Sequence, residues 1–191
     1  MSGPTICGKI NASIKKDCNI PLQMGTRDLA KIINFSDIVS VVYDSTYKAQ
    51  VKDIVLKTGA TAFEIDGFKN SIRPLVGLED GTYSKRFNHS VEVLGFDISI
   101  DTKEQLNNGI EGRYVILTEN YFQGEDGESA FEVYGLTVGM ELTAVDKNPN
   151  DAESQGAFHL MFSTPLNKET KLPNAFFDTD YATTKAIFDA L

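Results

Sequence analysis

GESAFEVYGLTVGMELTAVD, residues 127–146, alternates apolar and polar side chains, pauses around Gly139 and alternates again. Side chains on successive strand residues point to opposite faces, so this period of two predicts two strands with one buried face each. The strands fall at 130–135 and 140–146, with Phe131, Val133, Leu142 and Ala144 toward a core and Gly135 and Gly139 at the turn between them. The stretch holds no nucleophile beside a base and no set of metal ligands.

The flanking sequence repeats the pattern. In AFHLMFST, 157–164, Phe158, Leu160 and Phe162 alternate with His159 and Met161, which puts Phe158 and Leu160 in the core and His159 on the other face. RYVILTEN, 113–120, is another strand, and QGEDGES, 123–129, is an acidic glycine-rich turn that does not fit the 12-residue calcium loop. KNPNDAESQG, 147–156, is a polar loop.

Upstream, residues 33–44 and 50–59 are β-branched strand candidates. In TAFEIDGF, 61–68, Ala62, Glu64 and Asp66 share one face and Thr61, Phe63 and Ile65 the other, as in a sheet with one acidic, wet side. SKRFNHSVEVLGFDISI, 84–100, is the longest strand signal. Phe87, Val91 and Val93 have one parity and Phe96, Ile98 and Ile100 the other, so a bulge is expected at Gly95. His89 falls on the Phe87 and Val91 face, the place of a structural, partly buried histidine.

TICGKINASI, 5–14, alternates loosely as a first strand, and residues 20–28, with Pro21 and Gly25, form a loop. DTKEQLNNG, 101–109, is a short helix with Asp101 or Thr102 as cap, Gly109 as stop and Leu106 and Ile110 as anchors. FFDTDYATTKAIFDAL, 176–191, offers Asp178 or Thr179 as a cap for a final helix from about Tyr181. That helix would bury Tyr181, Ile187, Phe188 and Leu191 against a sheet or a neighbouring subunit. The expected fold is mainly β, a β-sandwich or partly closed antiparallel β-barrel, with a short flanking helix after a long strand and a C-terminal helix.

A chain of 191 residues, 41% hydrophobic and 24% charged, can build one sizeable core, so a single domain over 1–191 is expected. The net charge of −9 opposes binding to phosphates, while leaving a role as a wall past which a polyanion moves without sticking. No apolar run is long enough for a membrane helix, and MSGPTICGKI lacks the basic and apolar regions of a secretory signal, so no membrane partner or export is expected. Cys7 and Cys18 suit reduced, buried positions or a disulfide with each other; a zinc site would have to recruit both histidines from far away.

No phosphate loop, nucleophile elbow, HExxH or CxxC motif is present. The acidic pairs Asp97 with Asp101 and Glu125 with Asp126 fit solvated turns and strand ends. No cofactor, metal or catalytic residue is expected, and the absence of tryptophan disfavours a carbohydrate platform. A β-rich domain without a reactive constellation is what an assembly subunit looks like, its function lying in its strand edges.

Four segments carry a family resemblance: KDCNIPLQMGTRDLAKIINFSDI (16–38), SKRFNHSVEVLGFDI (84–98), ENYFQGEDGESAFEVYGLTVGMELTA (119–144) and the tail FFDTDYATTKAIFDAL. In these the chain resembles bacteriophage major tail tube proteins of phages and prophages of Bacteroidetes-like hosts. The resemblance implies a virion tail protein made in the host bacterial cytoplasm, with an extended N-terminal segment and a long β-hairpin. Six copies would form a ring, and rings would stack into a hollow tube that conducts DNA without specific binding. Implied partners are further copies, a terminator, a tape measure and a distal tail protein.

For the wall of that tube the candidate strands are 50–66 and 84–100, with Asp53, Glu64, Asp66 and Glu92 facing the lumen. Lys52, Lys57, Lys85 and Arg86 would pair with carboxylates of the next subunit, and residues 1–28 and 176–191 would reach the neighbouring ring. A terminator or neck ring, and a β-sandwich ligand-binding module, are the rival readings.

Overall fold

Residues 113–120 do not alternate in the folded chain, because this strand is covered on both sides. The computed structural model describes residues 10, 12–15, 19–81 and 83–191. The expectations for Cys7, Cys18 and most of 5–14 lie outside these residues. In chain order the strands are β1 (Thr26–Asn34), β2 (Ile38–Tyr43), β3 (Gln50–Leu56), β4 (Phe63–Asp66), β5 (Ile72–Asp80) and β6 (Lys85–Gly95). Helix α1 (Ile100–Gly109) follows, then β7 (Tyr114–Asn120), β8 (Phe131–Tyr134), β9 (Glu141–Lys147), β10 (Phe158–Ser163), β11 (Asn174–Phe176) and helix α2 (Tyr181–Ala190).

The strands form two sheets, a seven-stranded one in the order β2-β3-β11-β8-β7-β1-β4 and a four-stranded one in the order β5-β6-β10-β9. All pairings are antiparallel except β3 with β11. Two apolar clusters lie on opposite faces of the larger sheet. One joins Ile33, Val115, Leu117, Phe131, Val133 and Phe176 to Phe188 of α2. The other joins Ala30, Ile116, Tyr134 and Met140 to Val91, Val93, Phe158, Leu160 and Phe162 of the four-stranded sheet. The fold is therefore mainly β, a two-sheet sandwich without a closed barrel, with α2 as a third layer. Of the expected core residues Phe131, Val133, Phe158 and Leu160 are buried, and Leu142 packs half-buried against the second cluster.

Two charged pairs fix α2 on the sheet. Glu119, buried in β7, lies 2.7 Å from Arg27 Nε and accepts the Tyr181 hydroxyl at 2.7 Å. Lys31, buried in β1, donates to the Asp189 carbonyl and pairs with Glu64, both at 3.2 Å. The Lys185 ammonium sits 3.9 Å from Glu119. Phe131 packs against Tyr181 and Phe188, with centroids 5.7 and 5.0 Å apart.

Several local expectations change. Residues 33–44 are not one strand: β1 begins at Thr26, inside the expected loop, and a 3-10 turn at Phe35–Asp37 separates it from β2. There the Phe35 amide donates to the Arg113 carbonyl and Asn34 Nδ2 to Asp37 Oδ2. Strand β5 is an addition; Pro74 and Gly77 disguise it, and it lies at a sheet edge where proline is tolerated.

Gly95 carries no bulge. Its register with Phe158 is regular, and the strand ends there so that the chain can turn into α1. The helix caps are Ser99, whose hydroxyl accepts the Thr102 amide, and Asp180, whose carboxylate accepts the Thr183 amide at 2.7 Å. Ile110 is exposed, leaving Leu106 as the apolar anchor of α1. The register shift in β9 lies between Leu142, opposite Phe162, and Ala144, opposite Met161, so Ala144 faces outward and not into the core.

Gly135 has φ +75° and Gly139 φ +76°, and the Gly139 amide donates to the Gly135 carbonyl. A Cβ on Gly135 would meet Met140 Cγ at 2.3 Å, while one on Gly59, at φ +84°, would meet nothing within 4 Å. Gly135→Ala is expected to cost about 2–4 kcal/mol, combining backbone strain with overpacking. Gly59→Ala should cost only about 1–2 kcal/mol from strain alone. Denaturant unfolding of the two variants reads the difference.

Candidate functional site

Alternation in the four-stranded sheet leaves one face bare. His89, Val91 and Val93 of β6 and Phe158, Leu160 and Phe162 of β10 turn toward the larger sheet. Ser90, Glu92 and Leu94, with His159, Met161 and Ser163, must then turn away. Across the strands Glu92 stands opposite Arg73 and Met161, His159 opposite Leu94 and Asp146, and Ser90 opposite Ser163. The face mixes short, polar and charged side chains with Leu75, Leu94 and Met161, and the apolar core lies directly behind it.

At one end of this face the loop after β9 encloses a hollow of about 500 Å³. Four carboxylates, Glu92, Asp146, Asp151 and Glu153, face two cations, Arg73 and Lys147. Asp151 is held below the ordinary carboxylate range by hydrogen bonds from the Ser154 hydroxyl and amide. Lys147 is drawn toward Phe158, its ammonium 5.0 Å from the ring centroid. An approaching phosphate would meet net repulsion here.

The four lumen candidates do not share this surface. Glu92 is on it. Asp53 is on β3 of the seven-stranded sheet, where its carboxylate accepts the Ile54 amide, and Glu64 and Asp66 are on β4 of that same sheet, with four strands between β3 and β4. Glu64 is committed to Lys31. The cations expected to pair with a neighbour have partners within the chain: Lys52 with Asp44 and Asp178 (3.5 Å each), Lys57 with Asp37 (3.8 Å) and Lys85 with Asp80 (3.1 Å). Arg86 donates to the Lys85 carbonyl. Arg73 on the bare face escaped sequence reasoning because β5 did, whereas the outward place of His159 was given by its parity with Met161.

A second depression, about 970 Å³, opens beside β4. It is lined by Phe63, Ile65, Phe68, Phe96, Leu106 and Tyr114 among others, and Phe68 meets Phe96 edge-on at 6.2 Å. Phe63, Phe68 and Phe96 are exposed. Asp97 lies at its rim, its carboxyl held below the ordinary range by the Thr102 hydroxyl and by Ser99.

The two histidines are far apart in role. His159 is on the bare face, whereas His89 ties the sheets together. Its Nδ1 accepts the Gly135 amide at 3.1 Å, which places the ring proton on Nε2, 2.9 Å from the Lys171 carbonyl. Tyr134 packs edge-on against the ring, and its hydroxyl donates to Glu132; burial raises the phenol well above its ordinary range. Glu169, buried nearby, accepts the Thr170 and Lys171 amides. Among the described residues no group of three His, Cys, Asp or Glu is arranged to hold a metal, and no helix is long and apolar enough to cross a membrane. Compared with known proteins, the chain matches no family profile, no curated protein and no solved structure.

Burial lowers the pKa of His89 below 6.5, against the pull of Glu169 and Glu132. The unfolded chain then binds the proton more readily than the folded one, so stability is lost as pH falls below the ordinary histidine range. The slope can reach about 1.4 kcal/mol per pH unit. His89→Gln should flatten this part of the profile, measured by denaturant midpoints between about pH 7.5 and pH 5. Equal slopes in the two proteins would mean that His89 takes up its proton as readily in the fold as in the unfolded chain.

Proposed function

We propose that this chain is a self-assembling structural subunit of the tail tube type, with the bare face of the four-stranded sheet as the wall of a central channel. The observation that carries the reading is the state of that sheet. One face is packed, the other is open, and the outer edges of β5 and β9 have no strand partner among the described residues. Unprotected edges invite pairing with another copy.

The strand directions support head-to-tail joining. Three successive antiparallel pairings, β5 with β6, β6 with β10 and β10 with β9, leave β5 and β9 running in opposite directions. A β9 edge can therefore meet the β5 edge of the next copy and continue the antiparallel pattern without interruption. Six copies, the number that the resemblance implies, would give a wall of 24 strands. At about 4.8 Å per strand its backbone diameter is roughly 37 Å before strand tilt widens it, room for a DNA duplex. The net charge of −9 and the carboxylates around Glu92 and Asp146 keep such a wall from holding phosphates.

The β5–β6 hairpin supplies a contact along the axis. Its nine pairs run from Ile72 with Val93 to Asp80 with Lys85, and Leu75, Val76, Leu78 and Tyr83 are exposed on it. Rings stacked on one another would cover these side chains. Chemistry is not required of any residue in this reading, and no cofactor takes part.

Negative-stain electron microscopy and light scattering of the purified protein over rising concentration test the proposal. Hollow rings or tubes of uniform width are expected; a monomer at every concentration overturns it. With tubes in hand, the double variant Glu92→Lys and Asp146→Lys should make them retain DNA in a salt-sensitive way, measured by co-sedimentation. Tubes that stay indifferent to DNA after this reversal would place the sheet face elsewhere than the lumen.

A further inference from the structure

The cleft beside β4 is largely apolar and open, and in the segment before β1 the described isoleucines, Ile10 and Ile14, are exposed. We infer that the cleft receives residues 5–14 of a second copy, added as a strand along the free edge of β4. This inference rests on the assembly reading and names one of its contacts.

The acceptor side has the required geometry. β4 pairs with β1 on one side, through Leu29 with Asp66 to Ile32 with Phe63, and closes the seven-stranded sheet with its other side unpaired among the described residues. All four residues of β4 border the cleft; alternation puts the Phe63 and Ile65 side chains on one face and those of Glu64 and Asp66 on the other, where Glu64 meets Lys31. An incoming strand would find backbone donors and acceptors along β4, apolar pockets on one side and two carboxylates on the other.

The donor sequence has the complementary pattern. In TICGKINASIK, 5–15, the even positions are Ile6, Gly8, Ile10, Ala12 and Ile14, and the odd ones are Thr5, Cys7, Lys9, Asn11, Ser13 and Lys15. With the isoleucines in the cleft, Lys9 falls on the same face as Glu64 and Asp66, which gives an opposite charge across the strands, while Lys15 lies beyond the four residues of β4. No other register of faces does this, since a one-residue slip exposes every isoleucine.

The occupant is a second copy and not the chain's own arm. Ile10 and Ile14 are 81% and 90% exposed while the cleft of the same chain stands open. Downstream, Leu22 and Met24 are 84% and 92% exposed, so the connection to β1 does not lead its apolar residues over the cleft. The arm joins the body where the Tyr121 amide holds the Gly25 carbonyl, and the eleven residues 15–25 can span up to about 36 Å, enough to reach a neighbour.

Two full-length populations test the inference. The donor keeps Cys7 and carries Cys18→Ser. The acceptor carries Cys7→Ser, Cys18→Ser and Asp66→Cys, at an exposed position on the face expected to receive Cys7. After mixing and treatment with a short bismaleimide, a covalent donor–acceptor dimer is expected on denaturing gels. Ile10→Asp with Ile14→Asp in the donor should reduce it by about tenfold or more, since each buried isoleucine is worth roughly that factor in an equilibrium.

No donor–acceptor product overturns the inference, whether or not rings form. A third variant, with Cys7 kept and Cys18→Ser and Asp66→Cys in the same chain, checks the alternative: a product made only within single chains of this variant also overturns the inference, because the arm would then cover its own cleft. Rings without the product leave the assembly reading standing, whereas the product without rings keeps the arm contact and removes the ring.

Discussion

Strand β7 is buried on both of its faces, and the rest of the fold follows from that. Val115, Leu117 and Glu119 look one way and Ile116 and Thr118 the other, all of them buried. A sheet with such a strand near its middle needs two covers. Helix α2 is one and the four-stranded sheet is the other. Because the second cover is itself a sheet, packing consumes only one of its faces, and among the described residues the opposite face stays open and both outer edges stay unpaired.

The cover by α2 depends on charge as well as on Phe188. Burying Glu119 and Lys31 costs desolvation, which a pairing partner and hydrogen bonds must offset. Arg27, Tyr181 and Lys185 supply them to Glu119, and Glu64 and the Asp189 carbonyl supply them to Lys31. Because these contacts come from β1, β4 and both ends of α2, they fix where the helix lies along the sheet. The other interface has a neutral fastener: His89 joins β6 to the turn after β8 and to the loop before β11 through its two ring nitrogens.

The alternating stretches were legible. Phe131, Val133, Phe158 and Leu160 were placed by parity alone, as were the inward His89 and the outward His159, because half-buried strands write their burial pattern directly into the sequence. The elements that were misread are those whose environment departs from one wet face and one dry face. β1 carries Lys31 at a buried position, β5 contains Pro74 at a free edge, and Ala144 is turned outward by a register shift that its own neighbours do not announce. The acidic candidates share a composition and are spread over the fold: Glu92 lies on the four-stranded sheet, and Asp53, Glu64 and Asp66 lie on strands of the seven-stranded one.

By itself, the sequence determined the fold class, most of the strands, both helices and the faces of the regularly alternating strands, since each depends on side chains within a few residues of one another. Tertiary structure alone decided which sheet keeps a bare face, which edges stay unpaired, that Glu64 is spent on Lys31, and that Phe63, Phe68, Phe96 and Leu106 meet around one cleft. Those outcomes depend on pairings between segments far apart in the chain, and local periodicity carries no information about which distant strand will supply the partner.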